Sequence, residues 1–254
     1  MPSCVFIDLS GTLHVGRQPL PGAIEAIARL RREGFRVRFV SNTSSKSRRR
    51  LHQVLQEIGF DIAYDELFTP PLVVHRYLQR HNLRPYLLVH PDLMEEFADL
   101  PRQDPDAVVV GCALDHFTYA NLNQAFRLLK QGARLIATGR TACFEGRQGL
   151  QLDAGPFVAA LEYAAGTEAL VLGKPSAGFF AAAREEFSCP LESVTMIGDD
   201  AESDVGGAMA AGMRGILVQT GKYRAGDEDK IGHPDAIVVP GMAAAVERIL
   251  EQSA

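Results

Sequence analysis

Val194-Thr195-Met196-Ile197-Gly198-Asp199-Asp200, with Asp204 four residues on, is a short apolar run that stops at carboxylates. Continuous rather than alternating apolarity reads as a strand covered on both faces, the pattern of a parallel sheet. A charged residue directly after such a strand lies at the carboxyl edge, where open α/β sheets bind ligands. The signature recurs near the start of the chain, where Cys4-Val5-Phe6-Ile7 runs into Asp8-Leu9-Ser10-Gly11-Thr12. A third run, Val37 to Val40, breaks off at Ser41-Asn42-Thr43. Ile24, Ile27 and Ala28 stripe a helix between the first two strands of that half, and Leu51, Val54, Leu55 and Ile58 stripe the next. Successive βα units imply right-handed parallel crossovers.

Gly215–Val218 and Ile237–Val239 predict further strands, an Ala- and Gly-rich helix leads to Gly212, and Met242, Ala245, Val246 and Ile249 stripe a last helix. The middle of the chain has its own strand signals at Tyr86–Val89, Val108–Val110 and Leu135–Ala137. A helix striped by Leu122, Ala125, Phe126 and Leu129 separates the last two. The expected class is therefore α/β. A Rossmann-like parallel-sheet core is written in two segments, 1–72 and 172–254, around an inserted α/β domain at 73–171.

At 254 residues, 46% hydrophobic and 22% charged, the composition is that of a globular chain, which excludes disordered and collagen-like readings. A net charge of −5 and the absence of tryptophan argue against nucleic acid as a partner. No apolar run approaches a membrane span, and residues 1–30 carry no secretory pattern, so the expected location is cytoplasmic, with no membrane partner. Cys4, Cys112, Cys143 and Cys189 are widely scattered, without zinc or redox spacing, and read as buried or idle thiols in a reducing compartment.

Parallel strands would gather Asp8, Ser41, Asp199 and Asp204 at one edge, with Gly173-Lys174-Pro175-Ser176 at the domain junction nearby. Crowded carboxylates repel unless a cation sits among them. Mg²⁺, which takes hard oxygen ligands, fits that need, with Asp8, Asp199 and the backbone carbonyl of Ser10 as ligands. Ser41 and Lys174 would hold a phosphoryl group for attack by Asp8, giving an aspartyl-phosphate that water hydrolyses. Each piece alone has an ordinary structural reading as a cap or turn. Gly-Lys-Pro-Ser is no P-loop, because Pro175 stands where Ser or Thr is required. The joint occurrence in order is what lifts the set.

DLSGTLH at 8–14, Ser41-Asn42, VLGKPS at 171–176 and MIGDD at 196–200 resemble the four motifs of the haloacid dehalogenase-like (HAD) hydrolase superfamily. The insertion between the second and third motifs is similar to the type IIA cap (C2-type) of NagD-like phosphatases. The resemblance implies a Mg²⁺-dependent phosphatase of small phosphorylated substrates and, since caps of this type often pair in relatives, a homodimer. It makes Asp8 nucleophile and metal ligand, and gives the metal the Ser10 carbonyl and Asp199. Ser41 and Asn42 would bind phosphate, Lys174 would orient Asp8 and neutralise phosphate charge, and Asp204 would act from behind.

One departure carries weight. Most phosphatases of the superfamily have aspartate where this chain has Ser10, as acid for the leaving group and base for water. A hydroxyl does neither at neutral pH, a loss typically of about 10²–10⁴-fold. The expectation is a preference for activated donors such as phosphoramidates, pyrophosphate and aryl phosphates. The alternative is a catalytically weak phospho-ligand binding or scaffold protein on the same fold. Arg140, Arg147 and His116, with the Thr138-Gly139-Arg140-Thr141 loop, are the candidate cap contacts to substrate. A receiver domain would carry its acidic pair at the first strand, not at Asp199-Asp200. A dinucleotide fold would show G-x-G-x-x-G after it.

Overall fold

The computed structural model describes residues 4–43, 45–146, 149–187 and 189–252. In chain order the strands of its two main sheets are β1 (Cys4–Asp8), β2 (Arg36–Val40), β3 (Leu67–Phe68), β4 (Pro85–Leu88), β5 (Ala107–Val110), β6 (Arg134–Ala137), β7 (Leu170–Val171), β8 (Val194–Gly198), β9 (Arg214–Val218) and β10 (Ile237–Val239). The chain divides into two compact units, one of residues 1–41, 49–68 and 174–254, the other of 42–48 and 69–173. Segment 42–48 thus goes with the inserted unit, where the Arg48 N–H donates to the Glu96 carboxylate at 2.5 Å.

The first unit is built on a six-stranded parallel sheet of order β10-β9-β8-β1-β2-β3. β1 is central, flanked by the strands that end in Asp199 and Ser41. Ile7 lies opposite Ile197 and Asp8 opposite Val40, so register alone brings the acidic strand ends level. Every residue of β1 is buried. Val5 and Ile7 face a cluster with Ile27, Leu30, Leu55, Met242, Val246 and Ile249, while Phe6 packs on Phe187 with ring centroids 5.9 Å apart. Both faces being covered is why the run is unbroken in sequence.

Arg38 interrupts the apolar pattern of β2 and is nonetheless buried. Its guanidinium donates to the Ala183 carbonyl at 3.0 Å and to the Glu186 carboxylate, and lies over the rings of Phe68 and Phe187 at 5.2 and 4.5 Å. A charge removed from water needs such partners.

The first helix, α1 (Ala23–Arg32), buries Ala23, Ala26, Ile27 and Leu30; Ile24 and Ala28 of the predicted stripe are exposed. The bulky Ile24 lies one position from the small Ala23, which is the residue that meets the core. The Ala-rich segment before Gly212 is not one α-helix: 201–206 is a widened π-turn that runs into a short α-helix at 207–210. Gly207 meets Pro175 so closely there that a Cβ would lie 2.5 Å from the proline Cβ.

The second unit has a four-stranded parallel sheet of order β7-β6-β5-β4. Helices Tyr119–Lys130 and Ala154–Ala165 pack Ala125, Leu128, Val158 and Leu161 on Val108, Val110 and Leu135. A two-stranded ribbon, Cys143–Gly146 with Gly149–Leu152, forms a separate sheet in the same unit. Among the described residues no helix is long and apolar enough to cross a membrane.

Candidate active site

Asp8 closes β1, Asp199 follows β8, Asp204 lies one turn further on, and Lys174 stands where the chain re-enters the first unit. The three carboxylates offer oxygens that all lie within 4.8 Å of one another. The Lys174 ammonium sits in their midst, 2.5 Å from Asp8 Oδ1 and 2.7 Å from Asp204 Oδ1. All four residues are at least 93% buried.

Burial with like charges close by decides the electrostatics. Desolvation, reinforced by Asp199, raises the Asp8 carboxyl against the pull of Lys174. Desolvation pushes Asp199 up to about 6 and Asp204 up to about 7. Lys174 is held protonated, because its two carboxylate partners outweigh its own desolvation. One buried ammonium among three carboxylates leaves a deficit of positive charge. The donor set, hard oxygens gathered within a few ångströms, suits a small divalent cation such as magnesium.

The backbone is shaped around Asp199. Thr12 donates its hydroxyl to Asp199 Oδ1 at 3.1 Å and the Lys222 N–H donates to Oδ2 at 2.7 Å. Gly11, at φ +95°, leaves no room for a side chain: a Cβ there would lie 2.0 Å from Asp199 Oδ2. Gly221, at φ +55°, closes the other side, and the Thr220 hydroxyl donates to the Gly11 carbonyl at 2.6 Å. Gly11→Ala therefore suffers both a left-handed backbone and a collision with a fixed carboxylate. A loss of about 2 kcal/mol or more is expected, read as a lowered midpoint in urea unfolding. An unchanged midpoint would mean that Asp199 is not fixed there.

Thr12, Thr220, Gly221 and Lys222 complete this neighbourhood, yet only Thr12 stood near a predicted site residue. The missed signal is the end of β9, where Gly215–Val218 gives way to Gln219-Thr220-Gly221-Lys222 as abruptly as the other strands do. Lys222 also reaches Asp200, with Nζ 3.2 Å from Oδ2, and Asp200 in turn caps the π-turn by accepting from the Ser203 N–H at 2.9 Å.

Of the other residues singled out, the Ser10 side chain is exposed and Ser41 is buried at the end of β2, its N–H donating to the Phe68 carbonyl. Asn42 belongs to the second unit, and its side-chain oxygen lies near Gly173. In that unit Arg140 makes a two-pronged ion pair with Glu162 at 2.8 and 3.0 Å. Its guanidinium is therefore occupied by a carboxylate of its own unit. His116 is exposed, and the following helix is capped by the Thr118 hydroxyl. Thr138 is buried. Arg147 lies outside the described residues.

Comparison with known proteins puts this arrangement in context. Residues 5–101 match the family described as haloacid dehalogenase-like hydrolase, and residues 171–245 one described as HAD-hydrolase-like. The chain is 47% identical over 247 residues to haloacid dehalogenase-like hydrolase domain-containing protein 2 of Bos taurus, covering 97% of this chain and 95% of that one. It is 41% identical over 256 residues to phospholysine phosphohistidine inorganic pyrophosphate phosphatase of Rattus norvegicus, covering 97% and 94%. Among solved structures, 4-nitrophenylphosphatase from Thermotoga maritima superposes with a TM-score of 0.89 at 28% identity, over 97% of both chains. A glycerol phosphate phosphatase from Mycobacterium tuberculosis in complex with magnesium gives 0.84 at 27%, over 96% of this chain and 78% of that one.

Proposed function

The chain belongs to the haloacid dehalogenase-like hydrolase family, and from that premise we propose that it is a magnesium-dependent phosphatase working through a phosphorylated Asp8. The observation that carries the reading is the buried Asp8–Lys174–Asp204 array beside Asp199. An ammonium held by two carboxylates, in a pocket still short of positive charge, is built to receive an anion and a cation together.

Lys174 fixes Asp8 through Oδ1, which leaves the other carboxylate oxygen as nucleophile. That oxygen attacks phosphorus, the bond to the leaving group breaks, and Lys174 stays close enough to offset charge on the phosphoryl oxygens. Asp204 keeps Lys174 in place. Water then attacks the aspartyl-phosphate, which returns the carboxylate and releases phosphate. Asp8, Asp199 and the Ser10 carbonyl would hold magnesium, which supplies charge neutralisation at the phosphoryl group. Ser41 serves as a further phosphate contact in this reading.

Ser10 sets the substrate class. Without an acid at this position the leaving group departs unassisted, which favours donors whose leaving group is already stable: phosphoramidates, pyrophosphate and aryl phosphates. The names of two relatives, a phosphohistidine and pyrophosphate phosphatase and a 4-nitrophenylphosphatase, support that choice. The test is phosphate release from pyrophosphate, a phosphoramidate and p-nitrophenyl phosphate, with magnesium and with a chelator. Turnover of these donors in magnesium alone is expected. No release from any donor would favour a phospho-ligand binding role instead.

The raised carboxyls make the metal visible in stability. An unfolded aspartate titrates near 3.9, whereas Asp199 and Asp204 hold their protons up to about 6 and 7. The native metal-free protein therefore binds more protons than the unfolded chain between about pH 4 and 7, and its stability falls as pH rises through that window. Magnesium takes the ionised form. The thermal shift produced by magnesium over chelator should thus be larger at pH 7.5 than at pH 5. A shift independent of pH would place the ion elsewhere.

A further inference from the structure

The core of this protein is written in two segments separated by the inserted 69–173, and its two halves meet at the β1–β8 pair. At the start of that pair, away from the acidic end, Cys4 Sγ lies 2.7 Å from Cys189 Sγ. Cys4 sits opposite Val194 in the ladder, and Cys189 lies five residues before that partner. Both thiols are buried, at 1% and 4% exposure. The other two cysteines are placed differently: Cys112 is buried in the inserted unit beside Asp153, and Cys143 is exposed on the ribbon. In sequence Cys4 and Cys189 are 185 residues apart, so spacing gave no hint of the pair.

We propose that Cys4 and Cys189 form a reversible disulfide, an oxidation site that staples the two sequence halves of the core. The oxidant is a small peroxide. One sulfur attacks the peroxide oxygen and becomes a sulfenic acid with loss of water. The second thiol then displaces the hydroxyl as another water, so two thiols are oxidised by two electrons and one hydrogen peroxide is reduced to two waters. Burial pushes the Cys4 thiol up to about 12, which keeps the thiolate scarce and the reaction slow. The exposed Cys143 meets bulk oxidant first. The link would close a loop around the whole insertion, and long loops are those whose closure most restricts the unfolded chain.

The experiment uses full-length protein with Cys143→Ser, reduced and then exposed to hydrogen peroxide under native conditions, with the same oxidation in denaturant as a control for detecting the linked peptide. Non-reducing peptide mass mapping should find Cys4 joined to Cys189, two hydrogens lighter than the free pair and restored by dithiothreitol. Thermal unfolding of the oxidised form should rise by about 5–15 °C over the reduced form. Cys189→Ser and Cys189→Ala in the same background should each remove both the linked peptide and the rise. Recovery of both residues as free thiols or as over-oxidised acids in the native protein overturns the proposal. So does a link that leaves the unfolding temperature unchanged.

Discussion

Asp8→Asn is expected to abolish phosphate release and to leave the fold standing, with a melting temperature equal to or above that of the parent in the absence of metal. The two signs follow from the same burial. As an ionised group Asp8 is disfavoured where it sits: desolvation raises its carboxyl, and Asp199 adds to the effect. The amide removes that cost at nearly constant volume. Lys174 loses one anionic partner but keeps Asp204 at 2.7 Å, so no ammonium is stranded. Catalysis has no such reserve, because an amide oxygen does not take a phosphoryl group. Loss of a nucleophile costs on the order of 10³-fold or more. Steady-state release from p-nitrophenyl phosphate and a metal-free melt check the two halves separately. Retained turnover would remove Asp8 as the nucleophile. Lost turnover with a collapsed melt would show that its role is structural.

The sequence already held what lies along the strands. A strand buried on both faces is apolar along most of its length, so its end shows as a sudden charge; β1 and β8 are of this kind and run out at Asp8 and Asp199. β2 was legible in spite of Arg38, whose partners Ala183 and Glu186 come from about 145 residues away and leave no local trace. What escaped lies in loops or depends on close approach. Lys222 and Thr220 follow a strand just as Asp199 does, but without a carboxylate to draw attention. Gly11 and Gly221 matter because backbone closes over Asp199, a fact about space rather than pattern. β3 has only two residues, too few to show alternation or a run. The Arg140–Glu162 pair could not be anticipated, because a loop arginine carries no sign of the helix carboxylate that it meets.

Ser10→Asp is expected to raise turnover of an alkyl phosphate ester by a factor of about 10² or more, and to change p-nitrophenyl phosphate turnover little. The backbone permits it. Ser10 is exposed and its carbonyl is untouched by the exchange. An added carboxyl gives the leaving alkoxide a proton source and then gives water a base. An aryl oxide, a good leaving group unaided, gains little from the first of these. The readout is the dependence of kcat/KM on leaving-group pKa across a series of phosphate esters: steep in the parent, shallow in the variant. Parallel lines would mean that Ser10 does not limit the choice of substrate. The preference for activated donors would then need a source other than the missing acid.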